Sequence, residues 1–397
     1  MQKKEKDIRY QPHKKVVAHY VSEWLPLTQN WIRTQVTGMS DWVPFVLCDS
    51  QTGDFRDEDF PVISLWAKSP KLWLVCKSLR KLHLRCSDIV FREKVKKFDP
   101  SILHSHFANT ACLALPLARR ARLKHVVSVY GYDVTRLPVS EPSWKSRYWE
   151  LFQSADALVA EGPAMAERLR RLQCPTHKIH VIPLGIEFHR LPYRERTLRQ
   201  SEPLKVLLVG RFVEKKGFRF GLDALAKLCE ERPNLQLRVT VVGDGTESRK
   251  QDLKDRVRDN GLGEVTTFCG FLDVAELRQK YYEHHVLLSP SVTAADGDAE
   301  GGAPVSIIEA AATGLPVVST YHSDIPYVVR EGETGLLAPE CDADALADHL
   351  MALVDRPGEL RRLGQNAANH VRNQHDADRT CRELEALYDN ITGQNGD

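Results

Sequence analysis

Short apolar runs, each long enough for one buried strand, alternate along this chain with stretches whose apolar residues recur every three or four positions. This alternation is typical of βαβ units, so it predicts parallel sheets flanked by helices. In the first half the predicted strands are 16–21, 43–48, 63–66, 102–107, 126–129, 157–160 and 180–184. In the second half they are 205–209, 238–242, 266–269, 286–288, 317–319 and 335–337, with helices predicted at 220–231, 247–260 and 274–284.

The segment 190–203 interrupts this pattern, because it is charged and poor in apolar residues. We interpret it as the linker between two domains. The sequence therefore predicts an α/β protein with two Rossmann-like domains, at residues 1–195 and 196–375, followed by a helix at 376–397 that crosses back toward the first domain. Two open α/β domains in tandem are expected to bind their ligand at the carboxyl ends of the strands, facing the cleft between the domains.

Composition agrees with this organisation. A length of 397 residues is enough for two cores, and 27% charged with 42% hydrophobic residues is typical of a globular chain. No run approaches the roughly 18 to 20 apolar residues that span a membrane, and no apolar stretch follows the basic N-terminus as it would in a signal peptide. We therefore expect a cytoplasmic protein. The nine cysteines are scattered without a Cys-x-x-Cys pair, which predicts reduced thiols and no structural zinc.

The net charge is only +2, but the charges are unevenly distributed. Residues 67–97 contain ten Lys or Arg and two acidic residues, a balance of 10 − 2 = +8, with apolar residues at helical intervals. A basic amphipathic helix of this kind fits an anionic membrane surface, which predicts a peripheral contact on the inner face of the cell membrane. A solvated helix that packs by its leucine stripe fits the pattern equally well. No nucleic acid partner is expected, since no reading module is recognisable.

The stretch 288–320 carries the most chemical information. A predicted strand ends at Leu288 and runs into a loop of small residues, after which proline occupies a helix start, a position it favours. Free backbone N–H groups at such a start carry partial positive charge and form an anion site. The residues that build this start are Gly301, Gly302, Ala303, Pro304 and Val305.

Two carboxylates bracket that anion site, Glu300 before the helix and Glu309 in its second turn. A carboxylate beside a phosphate site repels the phosphate, so both are expected to accept hydrogen bonds from sugar hydroxyls. Helix capping and dipole matching in the first turn are the structural alternative for each glutamate taken alone.

Glycines and cations follow the first predicted strand of the second domain. Gly210 permits a close turn, while Arg211 and Lys216 supply two cations that suit a diphosphate. A solvated basic loop is the structural alternative. Gly243 and Asp244 shape a second strand-to-helix corner, and Phe271 follows another strand, where it would border a nucleotide base.

These elements, in this order and at this spacing, resemble glycosyltransferase family four. The resemblance covers nearly the whole second domain, including EAAATGLPVVST, SDIPYVV and EGETGLL, and extends more loosely to HSHFA, YGYDV and KIHVIPLGIE in the first. It implies a GT-B fold, with a cleft between two Rossmann-like domains. It also implies retaining transfer of a hexose-type sugar from a UDP- or GDP-sugar to a glycan, lipid-linked or natural-product acceptor.

The resemblance implies roles for individual residues. Arg211 and Lys216 would hold the diphosphate and help the nucleotide leave, Glu300 would hold sugar hydroxyls, and Glu309 would hold the ribose. The catalytic set is then Glu300, Arg211, Lys216 and Tyr130. The donor-binding set is Gly210, Arg211, Lys216, Gly243, Asp244, Phe271, Glu300, Gly301, Gly302, Ala303, Pro304, Val305 and Glu309. The acceptor-side set is Thr28, Asn30, His106, Asn109, Tyr130 and Asp133.

The chain departs from the family pattern at two positions. Eight residues separate Glu300 from Glu309, where seven are usual, and Tyr130 stands where relatives often have histidine. A tyrosine has a pKa near 10 and is a poor base at neutral pH, so Tyr130 is expected to position groups while the departing phosphate takes the acceptor proton.

No metal and no other cofactor is expected. Asp296-Gly297-Asp298 looks like the metal-binding Asp-x-Asp of a different glycosyltransferase fold, and we interpret it as an acidic loop. His104 and His106 lie two apart on a predicted strand and therefore face the same way. They fit cleft lining or core packing, and a metal site only with a third ligand.

Two other functions fit the same architecture. One is a nucleotide-sugar epimerase or hydrolase, which would act on the donor without an acceptor. The other is a non-catalytic nucleotide-sugar-binding protein, which the two departures from the family pattern leave open. A dinucleotide-dependent dehydrogenase is not favoured, since Gly-x-Gly-x-x-Gly follows the first strand of neither half.

Overall fold

The computed structural model describes residues 15–24, 30–52, 60–81 and 87–393. The chain divides into two compact units, each with its own parallel sheet. Unit one comprises the described residues within Met1–Glu161, Ala166–Gly185 and Ala377–Asp397, and unit two comprises Gly162–Met165 and Ile186–Asp376. The predicted linker 190–203 lies within unit two, because its Leu191 is fully buried in the core of that unit.

Within the described residues, unit one is built on seven parallel strands in the order β3-β2-β1-β4-β5-β6-β7. These strands are β1 Lys15–Trp24, β2 Trp42–Gln51, β3 Val62–Ser64, β4 Ile102–His106, β5 Lys124–Ser128, β6 Ala157–Ala160 and β7 Ile179–Val181. The helices of this half are α1 Asn30–Thr37, α2 Leu65–Lys68, α3 Pro70–Lys81, α4 Ser87–Phe98, α5 Ala108–Ala121, α6 Leu137–Ser140, α7 Ser143–Ser154 and α8 Pro163–Arg171.

The predicted strand 63–66 is wrong at its end. The hydroxyl of Ser64 accepts a hydrogen bond from the backbone N–H of Ala67, so Ser64 caps a helix and residues 65 and 66 are helical. The apolar pattern of the sequence extends beyond the strand because Leu65, although helical, is buried in the same core as the strand residues.

Unit two has six parallel strands in the order β10-β9-β8-β11-β12-β13. They are β8 Leu204–Val209, β9 Leu237–Val242, β10 Thr266–Gly270, β11 Val286–Ser289, β12 Val317–Thr320 and β13 Leu336–Ala338. The helices are α9 Phe218–Glu231, α10 Glu247–Asp259, α11 Val274–Glu283, α12 Val305–Ala312, α13 Ile325–Val328, α14 Ala343–Asp355 and α15 Gly358–Gln374.

Both faces of the second sheet are covered, which explains why its strands read as continuous apolar runs. Along β8, Val206 and Leu208 belong to the core that contains Leu225 of α9, whereas Leu207 belongs to the core that contains Ile307 of α12. Successive side chains of a strand point to opposite faces, so one short apolar strand serves two layers of helices.

The strand order of unit two fixes where its loops converge. Strands β9 and β10 lie on one side of β8, and β11, β12 and β13 lie on the other. All of these strands are parallel, so their carboxyl ends share one edge of the sheet. The order reverses between β8 and β11, and open α/β sheets bind ligands at such a switch point.

The last helix, α16 (Ala377–Thr392), belongs to unit one although it follows unit two in the chain. The buried carboxylate of Glu385 accepts hydrogen bonds from the backbone N–H groups of Ser40, Asp41 and Trp42 at 2.8, 2.8 and 3.0 Å. Three N–H donors on one carboxylate oxygen tie α16 to the start of β2.

Two sequence expectations concern the whole chain. Among the described residues, no helix is both long enough and apolar enough to span a membrane. The expectation of reduced thiols is wrong at Cys76, which is disulfide-bonded, because positions scattered in sequence do not report distances in space. The free cysteines among the described residues are Cys48, Cys112, Cys174, Cys229, Cys269, Cys341 and Cys381.

Candidate functional site

Two glycines bring the ends of β8 and β9 unusually close together. Gly243 has φ +145°, and a Cβ at this position would lie 1.8 Å from the carbonyl oxygen of Gly210. Gly210 itself has φ +155°, and its missing side chain leaves room for the aliphatic stem of Lys216, 3.1 Å from where a Cβ would stand. The sequence requires glycine here because any larger residue would displace the loop that carries Lys216.

Lys216 lies against Glu300. Its Nζ is 2.7 Å from Oε1 of the carboxylate, and the two side chains are only 16% and 10% exposed. Burial raises the pKa of Glu300, but the ammonium groups of Lys216 and Lys215 outweigh burial and hold that pKa below its usual range. Ser291 donates a further hydrogen bond to Oε1 at 3.2 Å. Glu300 is therefore an ionised carboxylate beside a cation, in a site largely screened from water.

The loop after Glu300 presents backbone donors. In the described structure, the N–H groups of Gly301, Gly302, Ala303, Val305 and Ser306 donate to no protein acceptor. Helix α12 begins directly after Pro304, which has φ −53° and makes no side-chain cap. These amides follow Glu300 directly, so the anion site predicted from the helix start adjoins the Lys216–Glu300 pair.

Arg211 follows Gly210 and is exposed. In the part of the chain that the structure describes, its guanidinium forms no ion pair, in contrast to Lys215, whose Nζ is 3.1 Å from Asp298. A guanidinium with free donors at this edge of the sheet suits a phosphate. Lys215 instead pairs with Asp298, the second aspartate of the Asp296-Gly297-Asp298 loop. This ion pair gives Asp298 a structural role in the loop.

Glu309 lies on the inner side of α12. Tyr281 donates a hydrogen bond from its hydroxyl to Oε2 of Glu309 at 3.0 Å. Burial raises the pKa of the Glu309 carboxyl and outweighs the opposite effect of the Tyr281 hydrogen bond. The other carboxylate oxygen has no protein partner among the described residues, which leaves an acceptor for a hydroxyl group of a ligand.

The remaining donor-side predictions divide into two kinds. Phe271 is 45% exposed directly after β10, and the preceding Gly270 accepts a hydrogen bond from Gly243, so the ring lies at the same sheet edge as the other residues. Asp244 is exposed, but its carboxylate pairs with Lys250 at 2.8 Å and accepts the N–H of Gly245 at 2.7 Å. These contacts give Asp244 a turn-stabilising role.

In unit one, Tyr130 rests on a buried histidine. Its hydroxyl is 2.6 Å from Nδ1 of His106, whose ring lies nearly parallel to the phenol ring at 11°. Burial raises the pKa of Tyr130 well above 10, so the hydroxyl stays protonated at neutral pH. Tyr130 is therefore a hydrogen-bonding group and not a base. The fully buried His106 orients it through the hydrogen bond to its hydroxyl and the stacking of the two rings.

Two further acceptor-side predictions have structural contacts. Asp133 is fully buried and accepts the backbone N–H of Ala108 at 2.7 Å and of Tyr130 at 3.1 Å, so it caps α5 and fixes the turn after Tyr130. The Oδ1 atom of Asn109 is buried without a hydrogen-bond partner in the described structure. Thr28 and the side chain of Asn30 lie outside the described residues.

His104 and His106 gain a third neighbour that the sequence did not indicate. His19 on β1 joins them, and one ring nitrogen of each of the three lies within 4.8 Å of the others. Burial lowers the pKa of His19 to about 3 and places those of His104 and His106 well below 6.5, so the cluster is neutral.

Five of the six ring nitrogens of this cluster have hydrogen-bond partners, whereas Nε2 of His19 is buried without one in the described structure. His104 contacts the hydroxyl of Tyr388 at 2.6 Å and that of Ser128 at 2.8 Å, and His106 contacts His19 at 3.0 Å. The rings of His104 and His106 stack at 4.5 Å with 22° between their planes. The sequence-predicted pair thus gains a third imidazole in a fully buried, neutral cluster.

Comparison with known proteins agrees with both halves of this description. Residues 203–356 match the family model described as glycosyl transferases group 1, and residues 38–185 match the glycosyl transferase 4-like domain. The amylovoran biosynthesis glycosyltransferase AmsK of Erwinia amylovora is 33% identical over 294 residues, which cover 73% of this chain and 70% of that protein. The chain belongs to glycosyltransferase family four.

A second relative agrees with this glycosyltransferase in family, and two solved structures agree with it in fold. WcaL of Escherichia coli K12, a putative colanic acid biosynthesis glycosyltransferase, is 31% identical over 293 residues, 73% of this chain and 70% of WcaL. Sucrose-phosphate synthase of Thermosynechococcus elongatus superposes with a TM-score of 0.75 at 21% identity, over 96% of this chain and 100% of that one. Anabaena HepE in complex with UDP and glucose gives 0.74 at 15% identity, over 95% and 100%. The predicted α/β fold of GT-B type is confirmed.

Sequence reasoning missed several residues of this glycosyltransferase that contact the predicted ones. Ser323 begins the SDIPYVV segment, but the sequence predicted no role for it, and each of these residues acts through a contact distant in sequence. They are His19 behind His106, Lys215 beside Glu300, Tyr281 on Glu309, and His322, Ser323 and Glu340 around the Glu300 backbone.

Proposed function

We propose that this family-four enzyme is a retaining, metal-independent hexosyltransferase that uses a UDP- or GDP-sugar. The observation that carries the proposal is the contact of Lys216 with Glu300 next to the free amides of 301–303. This arrangement offers cations and N–H donors for a diphosphate and an ionised carboxylate for sugar hydroxyls, side by side at one sheet edge.

The donor then lies along the carboxyl edge of the unit-two sheet. Its diphosphate receives hydrogen bonds from the amides before α12 and charge from Arg211 and Lys216. Glu300 accepts hydrogen bonds from hydroxyls of the sugar, Glu309 accepts them from the ribose, and Phe271 borders the base. Anabaena HepE, which shares this fold, forms complexes with UDP and with UDP-glucose, and this supports a nucleoside diphosphate sugar as the donor proposed here.

The acceptor is a glycan or a lipid-linked or natural-product precursor. The names of AmsK and WcaL refer to amylovoran and colanic acid biosynthesis, which supports a role in bacterial polysaccharide formation.

The chemistry follows from the protonation states. Tyr130 is held protonated by burial and does not remove a proton. The bond between the anomeric carbon and the phosphate oxygen breaks, the acceptor oxygen bonds to the same face of that carbon, and its proton passes to the departing phosphate oxygen. Arg211, Lys216 and the amides stabilise the charge that develops on the leaving diphosphate. These groups supply the positive charge that a metal supplies elsewhere, so no metal is required.

A thermal-shift panel tests this proposal. UDP, GDP, ADP, dTDP and their glucose, galactose, mannose and N-acetylglucosamine conjugates are added to the full chain, because a ligand that binds only the folded state raises the melting temperature. At least one nucleotide sugar is expected to stabilise the protein more than its free nucleotide does. Stabilisation by no member would refute the donor site, and rapid release of free sugar without any acceptor would instead indicate a hydrolase.

We also propose that the basic segment 67–97 touches an anionic membrane surface. Helix α3 presents Leu74 and Val75, which are 56% and 51% exposed, and Lys71 and Lys77 are exposed beside them. Exposed apolar side chains flanked by lysines are typical of helices that lie in the lipid headgroup region. Flanking charges of one sign also disfavour pairing of this face with a second copy of itself.

Vesicle cosedimentation tests the membrane proposal. The chain is expected to sediment with vesicles of phosphatidylglycerol and phosphatidylethanolamine and to stay in solution with phosphatidylcholine alone. The double variant Leu74→Ser, Val75→Ser should lose binding, whereas Val139→Ser, at a valine that is 62% exposed on α6, should retain it. Equal binding of all three proteins would refute the assignment.

A further inference from the structure

Both backbone polar groups of Glu300 are held by two adjacent residues. The N–H of Glu300 donates to Nε2 of His322 at 3.0 Å, and the hydroxyl of Ser323 donates to the carbonyl oxygen of Glu300 at 2.8 Å. His322 and Ser323 follow β12, and His322 is 2% exposed. The backbone N–H and the backbone carbonyl of Glu300 are thus both hydrogen-bonded to residues of the loop after β12.

The tautomer of the neutral His322 ring follows from its partners. A backbone N–H is always a donor, so Nε2 of His322 must accept, and in the neutral ring the proton is then on Nδ1. Nδ1 lies 2.6 Å from Oε1 of Glu340, and this carboxylate oxygen accepts a hydrogen bond from the Nδ1–H group. The other oxygen of Glu340 accepts the N–H of Thr293 at 2.7 Å. The Glu340–His322 pair therefore ties both ends of the loop 293–300 together.

The backbone of Ser323 provides an independent sign of constraint. Its φ is +46°, in the left-handed region that residues with a Cβ rarely adopt. A serine held in this conformation, with its hydroxyl on Glu300, is typical of a strained position that the surrounding structure enforces at a functional site.

We propose that His322, Ser323 and Glu340 are positioning residues that set the place of the Glu300 carboxylate for the donor sugar. Lys216 and Ser291 hold the carboxylate, but they leave its backbone undefined. The three residues, which we call the Glu300 clamp, supply that second constraint. The role at the sugar rests on the proposed function, whereas the clamp itself does not.

Amide hydrogen exchange tests the clamp without any ligand. His322→Phe removes the acceptor and the donor together, and Ser323→Gly removes the hydroxyl while glycine accepts the positive φ. In both variants, the amide hydrogens of residues 293–303 are expected to exchange at least fivefold faster than in the wild type. His322→Gln keeps an acceptor near Nε2 and is expected to stay within fivefold.

His284→Phe is the matched control. His284 is also buried and hydrogen-bonded at both nitrogens, at 2.7 Å to Lys280 and 2.8 Å to Thr240, but it precedes β11 at the opposite edge of the sheet. Less than a fivefold increase in peptide 293–303 for both His322→Phe and Ser323→Gly would overturn the clamp. An equal increase there in His284→Phe would also overturn it, since the effect would then reflect general loosening.

A double-mutant cycle separates the functional role. Affinity is measured for the nucleotide sugar that stabilises the wild type most in the panel above. His322→Phe is expected to weaken binding of this nucleotide sugar at least fivefold, whereas binding of the free nucleotide should change less than twofold. In a Glu300→Gln background, the same substitution should weaken nucleotide-sugar binding by less than a further twofold. Full additivity would overturn the positioning role. If no nucleotide sugar binds the wild type, the proposed function fails, and the exchange result still decides the clamp.

Discussion

The Lys216–Glu300 pair makes a quantitative prediction for Lys216→Met, which removes the ammonium but keeps an aliphatic stem. At 2.7 Å the two charges attract by about 6 kcal/mol at an effective dielectric constant of about 20. Removal of one partner of a buried pair costs about 3 to 5 kcal/mol, because the other charge stays buried. Lys215 and Ser291 remain near the carboxylate, so we expect a loss of roughly 2 to 4 kcal/mol at pH 7.

The loss should depend on pH in a defined direction. In the wild type the pKa of Glu300 is lowered, so its stabilising contribution is complete above the ordinary glutamate pKa of about 4.3 and is lost as the pH falls through the lower folded value. Without Lys216, burial should raise that pKa, so the carboxyl takes up a proton as the pH falls and its penalty disappears. The difference in stability between the two proteins should therefore be large at pH 7 and shrink toward pH 4.

Thermal unfolding between pH 4 and 8 measures this difference. A loss of about 3 kcal/mol corresponds to roughly 6 to 12 °C for a unit of this size. The double variant Lys216→Met, Glu300→Gln should recover most of the loss, because both charges are gone. Lys280→Met, which breaks the more exposed pair with Glu283, should cost less than about 1 kcal/mol. An unchanged melting temperature at pH 7, or no recovery in the double variant, would show that the Lys216–Glu300 pair does not stabilise the fold.

Three further outcomes are expected. Lys216→Ala and Glu309→Ala should each weaken nucleotide-sugar binding about 10- to 100-fold, equivalent to roughly 1.5 to 3 kcal/mol, and unchanged affinity of both variants in calorimetry would show that the site is misplaced. Transfer activity should survive EDTA, and a loss that magnesium restores would count against the metal-free mechanism. Gly243→Ala should lower both melting temperature and donor affinity because its Cβ meets the Gly210 carbonyl, whereas Gly358→Ala, which meets nothing within 4 Å, should change neither.

Features that depend only on neighbours along the chain could be predicted from the amino-acid sequence. A strand such as β6 was predicted with its observed ends, 157–160, because four apolar residues between polar ones mark a buried strand locally. The start of α12 was likewise readable, since Pro304 and the glycines before it define a helix start with free N–H groups from local chemistry alone. The motifs that resemble family four are local in the same sense.

Which of these local features contact one another depends on how the strands and helices pack. The contact of Lys216 with Glu300 depends on β8 and β11 being neighbours, and the grip of His322 on Glu300 depends on β12 lying next to β11. His106 also contacts His19, and this contact exists because β1 pairs with β4 in the sheet. Strand order is a property of packing over long separations. A pattern of residues therefore predicts that a strand ends in a polar loop, but it does not tell which other loop that one will contact.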